Sequence, residues 1–244
     1  MQFDIGSLTT AFSFFMNRPL SRRNCDSRRN IAMPEKITAD FLEGFLGNRR
    51  LMDQLAFILE VEKLKTILRR TLLLDRSRVE NDAEHTWQLA LMAAVLCEHS
   101  REPVDTLRVL KMLLIHDIVE IDAGDTFAYD PIAASSQAER ELKAADRIFT
   151  LLPNDQAEEF RALWDEFESK TSAESRFANA MDRLQPLLHN FFTNGGTWQT
   201  AGVTSPDVDR RMAPIGAASD TLGDLSTRLI TLAVEKGILA PGVA

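Results

Sequence analysis

From Thr38 almost to the C-terminus, apolar residues recur at three- and four-residue intervals, and no stretch alternates with the period of two that a half-buried strand requires. This periodicity predicts an all-α fold. A first apolar segment runs through Phe41, Leu42, Phe45 and Leu46, and a longer one through Leu51, Leu55, Ile58, Leu59, Leu64 and Leu68. A third helix opens at "NDAEH", where Asn81 can cap and Glu84, three residues on, can complete a capping box; it ends near His99. A fourth starts near Val104 and carries Leu107, Leu110, Leu114 and Ile115 into "HDIVEIDAGDT", with Gly124 as a natural stop. Further helices are expected over 135–152, 155–169, 173–194 and 206–237, with Pro153 after the first of these and Pro186 bending or breaking the third.

Length and charge narrow the partners. With 244 residues, 45% of them hydrophobic, one domain with a sizeable core is the default. A formal net charge of -8 repels polyanions, which argues against nucleic acid or an anionic membrane surface as partner. A small phosphorylated ligand would then need a local positive group. Two cysteines, Cys25 and Cys97, are too few for a disulfide framework, so a reducing, cytoplasmic setting is expected. The longest apolar run, Leu89 to Cys97, falls far short of the roughly 20 residues of a membrane-spanning helix. Residues 1–33 differ from the rest, with five arginines and no sustained apolar period. A disordered tail or a gene start placed too early, with Met33 as the true initiator, accounts for them better than a transit peptide, leaving 34–244 as the domain.

The chain has four histidines, and two of them, His85 and His116, fall in segments that otherwise read as buried helix. A lone histidine on an apolar helix is commonly a hydrogen-bonded core residue. Asp117 beside His116, and Asp182 in "FANAMDRLQPLL", alter that reading, because a buried carboxylate is costly to desolvate without a cation or arginine. Four such groups point to one shared cation. Two neutral imidazoles and two carboxylates neutralise a divalent ion and leave positions open for water and substrate, a catalytic pattern. A mixed nitrogen and oxygen set suits Mn, Fe, Co, Ni or Zn better than Mg.

An isolated His, a His-Asp doublet and a distant Asp, in that order, resemble the signature of the HD-domain metal-dependent phosphohydrolases. "LKTILR", "NDAEHTWQLALMAA", "LLIHDIVEIDAGDT" and "LWDEFESKTSAESRFANAMDRLQPLL" together look like the branch containing the 5'-deoxynucleotidases, over roughly residues 48–200. The resemblance implies an HD helical bundle that releases phosphate from nucleoside 5'-monophosphates, deoxynucleotides favoured. It also implies roles for three further residues. Glu120, one turn after His116, would accept a proton from the attacking water or donate one to the leaving oxygen. Asp125, after Gly124, would position the sugar hydroxyl or the water, with a turn-capping role as the alternative. Arg69 matches a phosphate-contacting arginine, with Arg70 the neighbouring alternative.

Other residues read as structural: His189 as core or surface, and Trp87, Trp164 and Trp198 as packing. Rival activities are nucleoside triphosphate or guanosine tetraphosphate hydrolysis, and, outside catalysis, a nucleotide-sensing module. A homodimer is an expectation, since exposed apolar positions on such domains commonly support one.

Overall fold

In the computed structural model, which describes residues 47–129 and 135–242, helices dominate as the apolar period predicts. The expected segment Phe41 to Leu46 and the expected tail over 1–33 lie outside the described residues. Helix α1 spans Arg49–Val61 and is capped by Asn48, whose side chain accepts from the backbone N–H of Leu51 at 3.1 Å.

The long segment through Leu68 is not one helix. After α1 the chain tightens into a 3₁₀ turn, Glu62–Thr66, and Ile67 swings into extended backbone. Strand β1, Leu68–Leu72, then pairs antiparallel with β2, Val79–Asn81, Leu68 lying opposite Asn81 and Leu72 opposite Val79. The connecting turn is held by Asp75, whose carboxylate accepts from the N–H and the hydroxyl of Ser77. These strands are five and three residues long, and their pairing is irregular in the middle, so a period of two never has room to show.

Helix α2, Asp82–Leu96, starts on the expected capping box of Asn81 and Glu84, and a 3₁₀ turn ends it at His99. Helix α3, Thr106–Ile115, tightens into a 3₁₀ turn over His116–Val119 and then into the single-turn α4, Glu120–Ala123. Gly124, at φ +75°, stops it as expected. The indole of Trp164 donates to the carbonyl of His116 at 3.2 Å and fixes that turn.

Helices α5 (Gln137–Phe149), α6 (Asn154–Ser169), α7 (Ala173–Phe192), α8 (Gly196–Ala201), α9 (Ser205–Ala218) and α10 (Asp220–Glu235) complete the described chain. Pro186 lies inside α7 without breaking it. The single helix expected over 206–237 is two, because Ser219 adopts extended backbone and caps α10 through its hydroxyl. Gly216 of α9 and Gly223 of α10 meet backbone to backbone: a Cβ on Gly223 would lie 2.6 Å from the Gly216 Cα.

Helix α7 is the centre of the bundle, packing against α2, α3, α6 and α9. Its Phe177, Met181, Leu184 and Leu187 are fully buried, each stabilising the fold by roughly 1.5–3 kcal/mol. Its neighbours contribute Leu89, Met112, Leu113 and Ile215 to the same core. All described residues belong to one compact unit over 37–244. Among them no helix is long and apolar enough to cross a membrane.

Candidate metal and phosphate site

Three segments distant in sequence bring the predicted ligands together: His85 in the first turns of α2, His116 and Asp117 on the 3₁₀ turn, and Asp182 midway along α7. His85 Nε2 lies 3.1 Å from Asp182 Oδ1 and 3.8 Å from Asp117 Oδ2. His116 Nε2 lies 3.1 Å from Asp117 Oδ1 and 3.8 Å from Asp182 Oδ1. Single donor atoms of His85, His116 and Asp182 fall within 4.8 Å of one another. The tight turn lets the adjacent His116 and Asp117 face one point.

The imidazole tautomers follow from the hydrogen bonds. His116 Nδ1 donates to the carbonyl of Leu113 at 2.8 Å, which turns its Nε2 toward the carboxylates. That Nε2 is buried and makes no hydrogen bond of acceptable geometry among the described residues. His189 Nδ1 faces the carbonyl of Leu72 at 3.0 Å and must carry the hydrogen, so its Nε2 accepts from Gln185 Nε2 at 3.1 Å. The same amide nitrogen donates to Glu80 Oε2 at 2.8 Å. Gln185 Oε1 is thereby turned to His85 Nδ1, 3.2 Å away, and the His85 Nε2 lone pair points at Asp182. An orphaned, buried imidazole nitrogen beside two carboxylates and a second oriented imidazole is a donor set that fits a divalent cation.

Electrostatics agree with that set. Burial, aided by Arg69, pushes His85 down to about 4, so it is neutral. Burial also opposes charge on His116, but Asp117 and Asp182 outweigh it and raise its pKa well above the usual value. Asp182 is held well below the carboxylate range, against its burial, by the adjacent imidazoles of His116 and His85.

Asp82, Glu120 and Asp125 form a second group, with one oxygen of each within 4.8 Å of the others. Asp82 is fully buried, and Asp82 Oδ2 and Glu120 Oε2 are buried without hydrogen-bond partners among the described residues. Burial first, then Asp117 and Asp82, raise the Glu120 pKa well above that of an ordinary glutamate; burial and Asp117 bring Asp82 to about 6.

Arg69, on β1, joins the two groups. Its Nη1 contacts Asp82 Oδ1 at 3.1 Å and Asp117 Oδ2 at 3.0 Å, with Asp125 Oδ1 at 3.8 Å, while Nε lies 3.6 Å from Glu80 Oε1. Arg70, by contrast, sits over the Phe127 ring, 4.6 Å from its centroid. A polar cleft of ≈650 Å³ contains His116, Asp117, Glu120, Asp125 and Asp182, and a second of ≈580 Å³, walled by Phe127, Tyr129 and Pro186, adjoins it. Arg69, Asp125, Asp182, Arg183 and Arg211 line both.

All seven residues singled out from the sequence therefore gather at one place. Sequence reasoning missed Asp82, Glu80, Gln185, Arg183 and Arg211. Helical spacing held a signal for two of them: Asp82 precedes His85 by three residues and Gln185 follows Asp182 by three, so each shares its partner's face. His189 and the buried Trp164 and Trp198 are structural as expected, but Trp87 is 65% exposed and packs no core.

A family model described as "HD domain" matches residues 61–221. The chain belongs to the HD-domain family. Within it, a solved structure of a predicted metal-dependent phosphohydrolase from Magnetospirillum magnetotacticum is 56% identical, with a TM-score of 0.76 over 79% of this chain and 96% of that one. The human 5'-deoxynucleotidase HDDC2 is 32% identical over 111 residues, 46% of this chain and 53% of the relative. The 5'-deoxynucleotidase YBR242W of Saccharomyces cerevisiae is 29% identical over 164 residues, 65% of this chain and 67% of the relative. The match to HDDC2 thus spans about half the length of that protein.

Proposed function

We propose that this HD-domain protein is a metal-dependent phosphomonoester hydrolase that releases phosphate from nucleoside 5'-monophosphates, deoxynucleotides favoured. The observation that carries the reading is the convergence of His85, His116, Asp117 and Asp182, the last three lining a polar cleft together with the buried Glu120. The 5'-deoxynucleotidase names of HDDC2 and YBR242W support the substrate class.

His85 Nε2, His116 Nε2, Asp117 and Asp182 would hold one divalent ion, with Mn, Co, Fe, Ni or Zn suited better than Mg. Such an ion supplies Lewis acidity, polarising the phosphoryl oxygens and lowering the pKa of water. Arg69 keeps Asp117 in place through Nη1 and offers Nη2, which makes no hydrogen bond among the described residues, to the phosphate. Glu120 holds a proton at its carboxyl and delivers it to the departing 5' oxygen. Asp125, at the junction of the two clefts, orients the sugar hydroxyl, and the adjoining cleft with Phe127 and Tyr129 receives the nucleoside.

We further place the protein in the cytoplasm as a homodimer without nucleic-acid or membrane partners. The free thiol of Cys97 suits a reducing compartment, and Trp87, Leu91 and Val95, exposed at four-residue spacing along α2, suit a self-association face. The deciding experiment is phosphate release from a panel of nucleoside mono- and triphosphates and guanosine tetraphosphate, with each divalent metal in turn. Release from deoxynucleoside monophosphates above the rest is the expected result; inertness of the metal-loaded protein toward the whole panel would favour a sensing module.

A further inference from the structure

Arginines in this fold are mostly spoken for. Arg50, Arg78, Arg101, Arg108, Arg147, Arg161 and Arg176 each pair with a carboxylate, and Arg69 meets four. Arg183 and Arg211 differ. Among the described residues neither has an ion pair or a hydrogen bond, and Arg183 Nε is buried without a partner there. Arg183 follows Asp182 on α7, Arg211 lies on α9, and both line the polar cleft and its neighbour, so the two guanidiniums stand at the junction of the clefts.

Two like charges brought together at a half-buried junction repel, and a buried guanidinium nitrogen without an acceptor is costly to desolvate. The arrangement is stable when an anion completes it. The charge of the site points the same way: the cation would be neutralised by Asp117 and Asp182, Arg69 is engaged by Asp82, Asp125 and Glu80, and Glu141 and Glu168 add carboxylates to the polar cleft, so an incoming phosphate dianion needs further cations, which Arg183, Arg211 and Lys170 supply among the lining residues. In a protein of net charge -8 no long-range attraction makes up the difference.

We propose that Arg183 and Arg211 form a phosphate-binding pair that takes the oxygens of the scissile phosphate and of the orthophosphate product. This rests on the phosphomonoesterase reading above and adds to it a pair of specificity residues for a tetrahedral dianion.

The test is calorimetric titration of orthophosphate into the manganese-loaded protein. Arg183→Ala and Arg211→Ala should each weaken phosphate binding roughly 10- to 100-fold, the worth of a charge-assisted hydrogen bond, at unchanged metal content. Arg210→Ala, which removes the same charge from the next position on α9 where Arg210 pairs with Asp207, should stay within about twofold of wild type. Phosphate affinity within twofold of wild type in both Arg183→Ala and Arg211→Ala overturns the pair. Should Arg183→Ala fail to fold, Arg211→Ala and Arg183→Lys decide, the lysine being expected to recover part of the affinity because it keeps the charge and loses the fork. Turnover of nucleotides by the wild-type protein tests the underlying reading separately, since phosphate affinity is read without it.

Discussion

Gln185 Oε1 stands 3.2 Å from Nδ1 of His85, and its amide nitrogen is held by Glu80 and His189, so the orientation of one ligand imidazole is set from the β1 carbonyl of Leu72 inward. Partners of this kind typically govern metal affinity by 10- to 100-fold. Gln185→Ala should weaken cobalt binding by about that factor, measured by titrating the visible d–d bands of the Co(II) form, with helix content unchanged by circular dichroism. His189→Ala, one step further back, should show a smaller effect. Wild-type cobalt affinity in Gln185→Ala would make the amide a packing group.

Metal stoichiometry is the most direct check on the ligands. Elemental analysis of reconstituted protein should give about one divalent ion per chain, and His116→Ala or Asp117→Ala should abolish it while most helix content survives. Two ions per chain would assign Asp82, Glu120 and Asp125 a cation of their own.

Glu120→Gln removes the titratable carboxyl from the polar cleft with little change of shape. Turnover of deoxynucleoside monophosphates should fall by roughly two to four orders of magnitude, with metal content and KM nearly unchanged. A kcat within about threefold of wild type would return Glu120 to a structural role.

Arg69 ties together carboxylates that would otherwise be buried uncompensated, so Arg69→Ala should cost more than affinity. Leaving Asp82 without its cation is expected to destabilise the fold by about 3–5 kcal/mol, seen as a lowered urea midpoint, together with weaker phosphate binding. Arg69→Lys should recover part of both. Arg70→Ala should leave phosphate affinity nearly unchanged, since Arg70 is stacked on Phe127 instead; a large loss there would move the phosphate contact one residue along β1.

Glu80 gives the fold a pH dependence with a definite sign. Burial raises its pKa from 4.5 to about 7, so the folded state binds this proton more tightly than the unfolded chain does. Its contribution is full below about pH 4.5 and is lost as pH rises through 7, with a slope of at most about 1.4 kcal/mol per pH unit. Thermal melts of the metal-free protein between pH 5 and 8 should therefore show a shallower fall for Glu80→Gln than for wild type. Parallel curves would show that Glu80 does not titrate in this window.

Much of the site was legible because its residues break the helical pattern around them: a His-Asp doublet and a lone Asp on apolar faces are conspicuous without any knowledge of what lies opposite. The capping box at Asn81 and the stop at Gly124 were equally plain, being local chemistry. The β1–β2 hairpin was hidden because leucines at 64 and 68 continue a four-residue spacing, and only the 3₁₀ turn and the Asp75 turn chemistry divert the chain. Arg183 and Arg211 were invisible for a different reason. An arginine on a helix is ordinary, and whether a carboxylate meets it is decided by the packing of α7 against α9, which no local pattern records.

The contact between Gly216 and Gly223 bears on that packing. Because two bare backbones meet there, the depth at which α9 seats is fixed by a joint with no side chain to absorb an error. A single methyl at Gly223 would act as a shim, pushing α9 outward and carrying Arg211 with it. The reach of one guanidinium toward the clefts is thus tuned from the far side of its helix, at a position that touches neither ligand nor metal and can be engineered without altering either.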